Sequence, residues 1–92
     1  DIPAATASSE FAPGQFEINL SHTNNILKSA DDAALLRRVI KETAIKHGYE
    51  ASFLSKPFVN ETGSGMHVHL SIFDKNNNNI FAIANIFFWM CI

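Results

Sequence analysis

One cysteine, one tyrosine, one tryptophan and four glycines in 92 residues exclude several classes of protein at once. A single thiol, Cys91, closes no internal disulfide and provides no cysteine cluster for zinc. Charge is also sparse: seven Lys and Arg stand against nine Asp and Glu, a formal net charge of -2. No basic stripe is present to neutralise a phosphate backbone, so no nucleic-acid partner is expected. The most apolar stretch, IFAIANIFFWMCI at residues 80–92, falls short of the roughly 20 residues that a membrane helix needs. The opening DIPAATASSE lacks the basic-then-apolar pattern of a signal peptide. These absences point to a cytoplasmic chain with no membrane partner. At 92 residues, only a small core is expected. Both ends read as cut, with a loop or truncated start over residues 1–9 and an uncapped apolar tail over residues 82–92.

Against this plain background, residues 63–71, GSGMHVHLS, carry the strongest signal. Side chains alternate along a strand with period two. Met66, Val68, Leu70 and Ile72 therefore share one face, while His67, His69 and Ser71 share the other. Residues 14–21, GQFEINLS, repeat the arrangement: Gln15, Glu17, Asn19 and Ser21 oppose Phe16, Ile18 and Leu20. Two strands with polar faces, one carrying carboxylate and the other imidazole, suggest a single site built on a sheet.

The rest of the chain supplies the frame. Ala12-Pro13-Gly14 is a turn signal before a strand over residues 15–22. Ser29 followed by Asp32 resembles a capping box with Asp in place of Glu, and Asp31 and Asp32 suit the positive end of a helix. A helix is expected over about residues 30–47, with Leu36, Val39, Ile40 and Thr43 as its apolar stripe. Arg37, Arg38, Lys41 and Glu42 should face water, and His47-Gly48 should stop the helix. A short strand is expected over residues 51–54 and the histidine strand over residues 66–73. A polar asparagine turn follows at residues 74–79, and Ile80 and Phe81 could return as a hairpin partner. The fold class is α+β, with antiparallel strands and one long helix. The histidine strand could pair antiparallel with the glutamate strand, although the sequence leaves this open.

The chemistry follows from these faces. The turn at residues 12–14 could fold Glu10 back beside Glu17. Two carboxylates and an imidazole suit a hard divalent cation, Mg2+ or Mn2+. His67 and His69 are about 6.6–6.8 Å apart along an extended backbone, too far for easy ligation of one ion by both. One is better placed on metal and the other on a phosphate or a second metal. Gly63 and Gly65 allow a ligand close to the backbone, with N–H groups available to an anion. The competing reading is a merely solvated polar face. Glu42, Glu50 and Glu61 read as surface carboxylates, and His22 and His47 as structural. The Gly63-Ser64-Gly65 run lacks the spacing and Gly-Lys-Ser/Thr ending of a P-loop.

Three blocks in order, EFAPGQFEINL (residues 10–20), KHGYEASFLSKPF (residues 46–58) and GSGMHVHLSIFD (residues 63–74), resemble the catalytic domain of glutamine synthetase. The likeness runs over residues 10–81 as a partial catalytic domain, and residues 82–92 depart from it. FAPGQFEINL looks like the branch that ligates glutamate to polyamines such as putrescine. Ammonia-using members more often carry paired histidines where this chain has Ser8 and Ser9, and asparagine where it has Thr62. The resemblance implies that Glu10, Glu17 and His67 ligate metal, that His69 contacts the ATP phosphates, and that Ser71 lies toward the nucleotide. It implies that Gly63 supplies backbone near glutamate, with Gln15 supporting the site from behind.

It further implies an ATP-dependent ligase. The γ-carboxylate of glutamate attacks the terminal phosphate of ATP, and ammonia or an amine then displaces phosphate from γ-glutamyl phosphate. The expected cofactor is Mg2+ or Mn2+, with ATP as co-substrate, in a homo-oligomeric ring. The family completes its site with residues outside this segment, so the isolated chain is expected to be inactive. The alternative is a non-catalytic remnant that acts through association with a partner subunit.

Overall fold

The computed structural model describes residues 1–81. Its elements are β1 (Ala4–Ser9), β2 (Phe16–Leu20) and α1 (Ile26–Lys46). The strands form an antiparallel two-stranded sheet. The architecture is thus a small α+β unit with antiparallel strands and one long helix, as the sequence indicates. The expected tail at residues 82–92 lies outside the described residues.

β1 replaces the loop expected over residues 1–9. AATASS has little β-propensity and no apolar alternation, so its strand state comes from its partner. Ser8 pairs with Glu17, Ala7 with Ile18 and Thr6 with Asn19, and a shift between Ala4 and Thr6 bulges the strand. The Glu10 N–H donates to the Gln15 carbonyl at 2.9 Å and carries the ladder to the mouth of the turn. Within the turn, the Gln15 N–H donates to the Ala12 carbonyl at 3.0 Å. Gly14 takes φ 74°, a left-handed value that glycine adopts without a Cβ clash. The predicted turn is therefore present, and β2 lies within the predicted strand.

α1 starts four residues before the expected 30 and ends beside the expected 47. Asn25 is the N-cap: its Oδ1 accepts from the Lys28 N–H at 3.0 Å. The Ser29–Asp32 capping box does not form, because Ser29 is already helical and its N–H donates to the Asn25 carbonyl. Asp31 and Asp32 consequently miss the first turn, which contains no acidic residue. Asp32 is instead buried and paired with Lys28 one turn earlier. At the other end, the His47 N–H bonds back to the Thr43 and Ala44 carbonyls and Gly48 turns left-handed.

The apolar stripe is only partly used. Leu36 is buried and Ile40 half-buried, whereas Val39 and Thr43 are exposed. Arg37, Arg38, Lys41 and Glu42 are exposed as expected, and the Arg37 guanidinium lies 5.4 Å from the centre of the Phe53 ring. Leu36 and Ala12 are the buried hydrophobic residues among those described. Phe11, Phe16, Tyr49, Phe58 and Val59 all stand largely exposed. The radius of gyration is 15.7 Å, against about 12 Å for a compact domain of this length. No described helix is long and apolar enough to cross a membrane.

Among the described residues, neither the strand expected over residues 51–54 nor that over residues 66–73 forms a ladder, although His67 and Phe73 each take a single bridge position. Alternation fits a sequence for a sheet face, but a strand is defined by neighbours that take up its N–H and C=O groups. The asparagine turn does form. The Asp74 N–H donates to the Asn78 carbonyl, Phe73 bridges Asn79, and the Ile80 N–H donates to the Ile72 carbonyl at 2.9 Å. Ile80 thus returns along the histidine segment as expected.

Candidate functional site

The hairpin builds one polar face. Directly opposed residues of an antiparallel pair point to the same side. Glu17 and Asn19 therefore share a face with Ser8 and Thr6, and Gln15 shares it with Glu10 beyond the ladder's end. Asn19 Nδ2 donates to Thr6 Oγ1 at 2.9 Å and to Glu17 Oε1 at 3.0 Å. The Glu17 carboxylate is thus oriented by the amide two residues along its own strand. Glu10 is half-buried beside a shallow hollow lined by Ser9, Glu10 and Phe11. The turn brings Glu10 and Glu17 onto one face as the sequence suggests, offset diagonally rather than opposed.

Gln15 joins this face to the glycine segment. Its Oε1 accepts from the Ala12 N–H at 3.1 Å and from Thr62 Oγ1 at 3.0 Å. Its Nε2 donates to the Gly63 carbonyl and to Ser64 Oγ, each at 3.2 Å. At the far end, His22 Nε2 lies 3.3 Å from Ser71 Oγ. The order of these links fixes the direction: residue 15 meets 62–64 and residue 22 meets 71. The histidine segment therefore runs alongside β2 in the same sense, not antiparallel to it. A long helical crossover, here α1, is the connection that parallel neighbours require.

The two glycines are tightly placed. The Ser64 N–H donates to the Ser55 carbonyl at 2.6 Å, and a Cβ on Gly63 would stand 2.7 Å from that same oxygen. A Cβ on Gly65 would stand 2.8 Å from His67 Nε2, so the His67 ring folds back over Gly65. His67 is exposed and His69 half-buried. The His69 imidazole is held below its ordinary 6.5, first by burial and then by the charge of His67. At neutral pH it therefore presents a neutral ring that can donate one N–H.

Glu10 and Glu17 belong to the hairpin face and His67, His69, Ser71 and Gly63 to the neighbouring segment. Among the described residues, no three His, Cys, Asp or Glu side chains converge closely enough to hold a metal ion. The donors available, carboxylate oxygen and imidazole nitrogen, are those that Mg2+ and Mn2+ accept. Sequence reasoning missed Thr6, Thr62, Ser64 and the His22–Ser71 link. Thr6 was hidden by the loop reading of residues 1–9, and the other partners lie 47 to 49 residues apart in sequence.

A hairpin face carrying two carboxylates, that of Glu17 oriented by Asn19, beside a glycine- and histidine-bearing segment places the chain among sheet-built polar sites. The family follows from comparison. Residues 1–86 match the family described as glutamine synthetase, catalytic domain, and the chain belongs to that family. It is 46% identical over 83 residues to the gamma-glutamylputrescine synthetase of Escherichia coli K12, covering 90% of this chain and 18% of that protein. It is 45% identical over 81 residues to a glutamate–isopropylamine ligase of a Pseudomonas species, covering 88% of this chain and 17% of the relative. It is 49% identical over 69 residues to the glutamine synthetase of Thermotoga maritima, covering 73% and 16% respectively. The chain thus spans less than a fifth of the length of these relatives. No solved structure matches it significantly. The relatives favour a glutamate-ligase family over a non-catalytic association module.

Proposed function

We propose that this chain forms part of the active site of an ATP-dependent ligase that joins the γ-carboxylate of glutamate to ammonia or an amine. The observation that carries the reading is the alignment of the Glu17 face with the Gly63–Ser71 backbone, tied at Gln15 and at His22. The family match supports it. Amine-ligating relatives, named for putrescine and isopropylamine, stand beside the glutamine synthetases.

In this reading Glu10, Glu17 and His67 contribute part of the ligand set for Mg2+ or Mn2+. A bound divalent ion would neutralise charge on the transferring phosphoryl group. Asn19 holds the Glu17 carboxylate in orientation. His69, as a neutral ring, donates an N–H to an ATP phosphate oxygen, and Ser71 lies toward the nucleotide. Gly63 offers its backbone to glutamate. The glutamate γ-carboxylate oxygen attacks the terminal phosphorus, ADP leaves, and γ-glutamyl phosphate forms. The neutral amine nitrogen then attacks the acyl carbon, the C–O bond breaks with its electron pair on phosphate, and the nitrogen gives up one proton to the departing phosphate or to water. Activation is necessary because a free carboxylate would have to expel oxide. The remaining ligands come from sequence or subunits outside this segment, in keeping with a cytoplasmic ring assembly.

The test is ADP release by the full-length protein with glutamate plus ammonia, putrescine or isopropylamine, with products identified by mass. Metal- and glutamate-dependent turnover with one acceptor is expected, and the product identifies which. Absence of turnover with every acceptor, in a folded and metal-loaded protein, would overturn the reading. The isolated 92-residue chain should give background.

A further inference from the structure

We propose that Gln15 is a positioning residue. Its side-chain amide sets the register between the Glu17 face and the Gly63–His67 segment, and through that register it sets the metal affinity of the site. The inference rests on the ligase reading above and gives the supporting role of Gln15 a specific geometry.

The argument is one of saturation. A primary amide has two acceptor positions on oxygen and two N–H donors. Gln15 uses all four: Ala12 N–H and Thr62 Oγ1 on the oxygen, the Gly63 carbonyl and Ser64 Oγ on the nitrogen. One of these bonds lies within its own hairpin, and three reach the segment 47 to 49 residues away. No side chain other than an amide of this length both accepts and donates twice in one plane. A carboxylate accepts only, and would face the Gly63 carbonyl oxygen without a proton between them. Ser64 is additionally held by Ser55, but that bond ties the segment to residues 55–58 and not to β2. At the opposite end, His22 and Ser71 also link the segment to the chain just beyond β2. Gln15 is therefore the near-end clamp. Two residues along its strand lies Glu17, and four residues beyond Gly63 lies His67. A slip of the clamp changes the offset between those two.

The test uses Gln15→Glu and Gln15→Met in the full-length protein, with Mn2+ as the probe. Both variants keep the length of the side chain. Hydrogen exchange in residues 62–66 should rise at least about tenfold while exchange in β1 and β2 stays as in wild type. Mn2+ affinity should fall about tenfold, in the range expected for supports of a metal site. Unchanged exchange in residues 62–66 would overturn the clamp. Raised exchange with unchanged Mn2+ affinity would overturn the positioning role. If wild type binds neither Mn2+ nor Mg2+, the ligase reading fails, and exchange alone still decides whether the clamp exists. If exchange in the hairpin rises as well, a Thr62→Val, Ser64→Ala double variant decides. It removes two of the cross-links and leaves the Gln15–Ala12 bond in place, so Mn2+ affinity should fall with the hairpin intact.

Discussion

The Ser55 carbonyl oxygen lies 2.7 Å from the point where a Cβ on Gly63 would stand. The same oxygen accepts the Ser64 N–H at 2.6 Å. The obstacle is backbone, which has no rotamer to give. Gly63→Ala should therefore push residues 63–64 off Ser55 and displace the Gly63 carbonyl from Gln15. Under the ligase function proposed above, kcat/KM of the full-length protein should drop by about 100-fold, the cost of misplacing a reacting geometry by about 1 Å. Steady-state kinetics against glutamate check this, and near-normal kcat/KM would refute it.

Gly65→Ala should behave differently. The added Cβ would meet the His67 ring at 2.8 Å from Nε2. A ring can turn about χ1, so the backbone stays and the imidazole moves. Mn2+ affinity should fall while thermal stability is nearly unchanged. A variant that loses stability and keeps its metal affinity would contradict the assignment of the crowding to His67.

These two glycines mark the limit of what the sequence discloses. The polar face of β2 is legible because Gln15, Glu17 and Asn19 alternate with Phe16, Ile18 and Leu20, and period two survives any tertiary context. The turn at residues 12–14 and the stop at His47-Gly48 are legible because their chemistry is local. β1 is not, since AATASS becomes a strand only by pairing with residues 16–20. The helix start is misplaced because Ser29 and Asn25 are both competent caps, and the earlier one extends the helix by another turn. The same-direction run of the histidine segment is invisible for the same reason as the Gly63 crowding. Each depends on partners many residues away.

His69 gives the native state a pH dependence of its own. Its folded-state value lies below 6.5, chiefly through burial. As pH falls below 6.5, the unfolded chain takes up the proton first, so the native state loses stability from there down to the lowered folded value. Above 6.5 the group has no effect. Substituting His69→Gln should flatten the stability–pH curve in that window. In the ligase proposed above, an ATP phosphate beside the ring should raise its titration midpoint, visible as proton uptake on binding below pH 6.5. Proton release there would contradict contact between His69 and phosphate.

Asp74 acts with the same sign, at lower pH and for a different reason. Its carboxylate is held below 3.8, first by the Asn78 backbone and side-chain bonds and also by the Asn76 N–H. A lowered carboxylate stabilises the turn above the unfolded value, and that contribution is lost as pH falls through the folded value. Asp74→Asn keeps the acceptor oxygen but removes the charge. The hairpin joining Ile72 to Ile80 should then lose the acid-dependent part of its protection. Amide exchange of Asn78 and Ile80 against pH reads this directly. A pH profile identical to wild type would show that the carboxylate does not govern the turn.

Asn25 tests the helix start. Its Oδ1 takes up the Lys28 N–H, one of the four donors that an α-helix leaves unpaired at its N-terminus. Asn25→Ala should cost about 1 kcal/mol, and Asn25→Asp should be tolerated because its carboxylate also accepts there and suits the positive helix end. Ser29→Ala, by contrast, should cost little, since Ser29 is an interior helical residue and Ala has the higher helix propensity. Denaturant unfolding of the three variants separates the two caps. A larger loss at Ser29 than at Asn25 would place the functional start of α1 at residue 30 and not at 26.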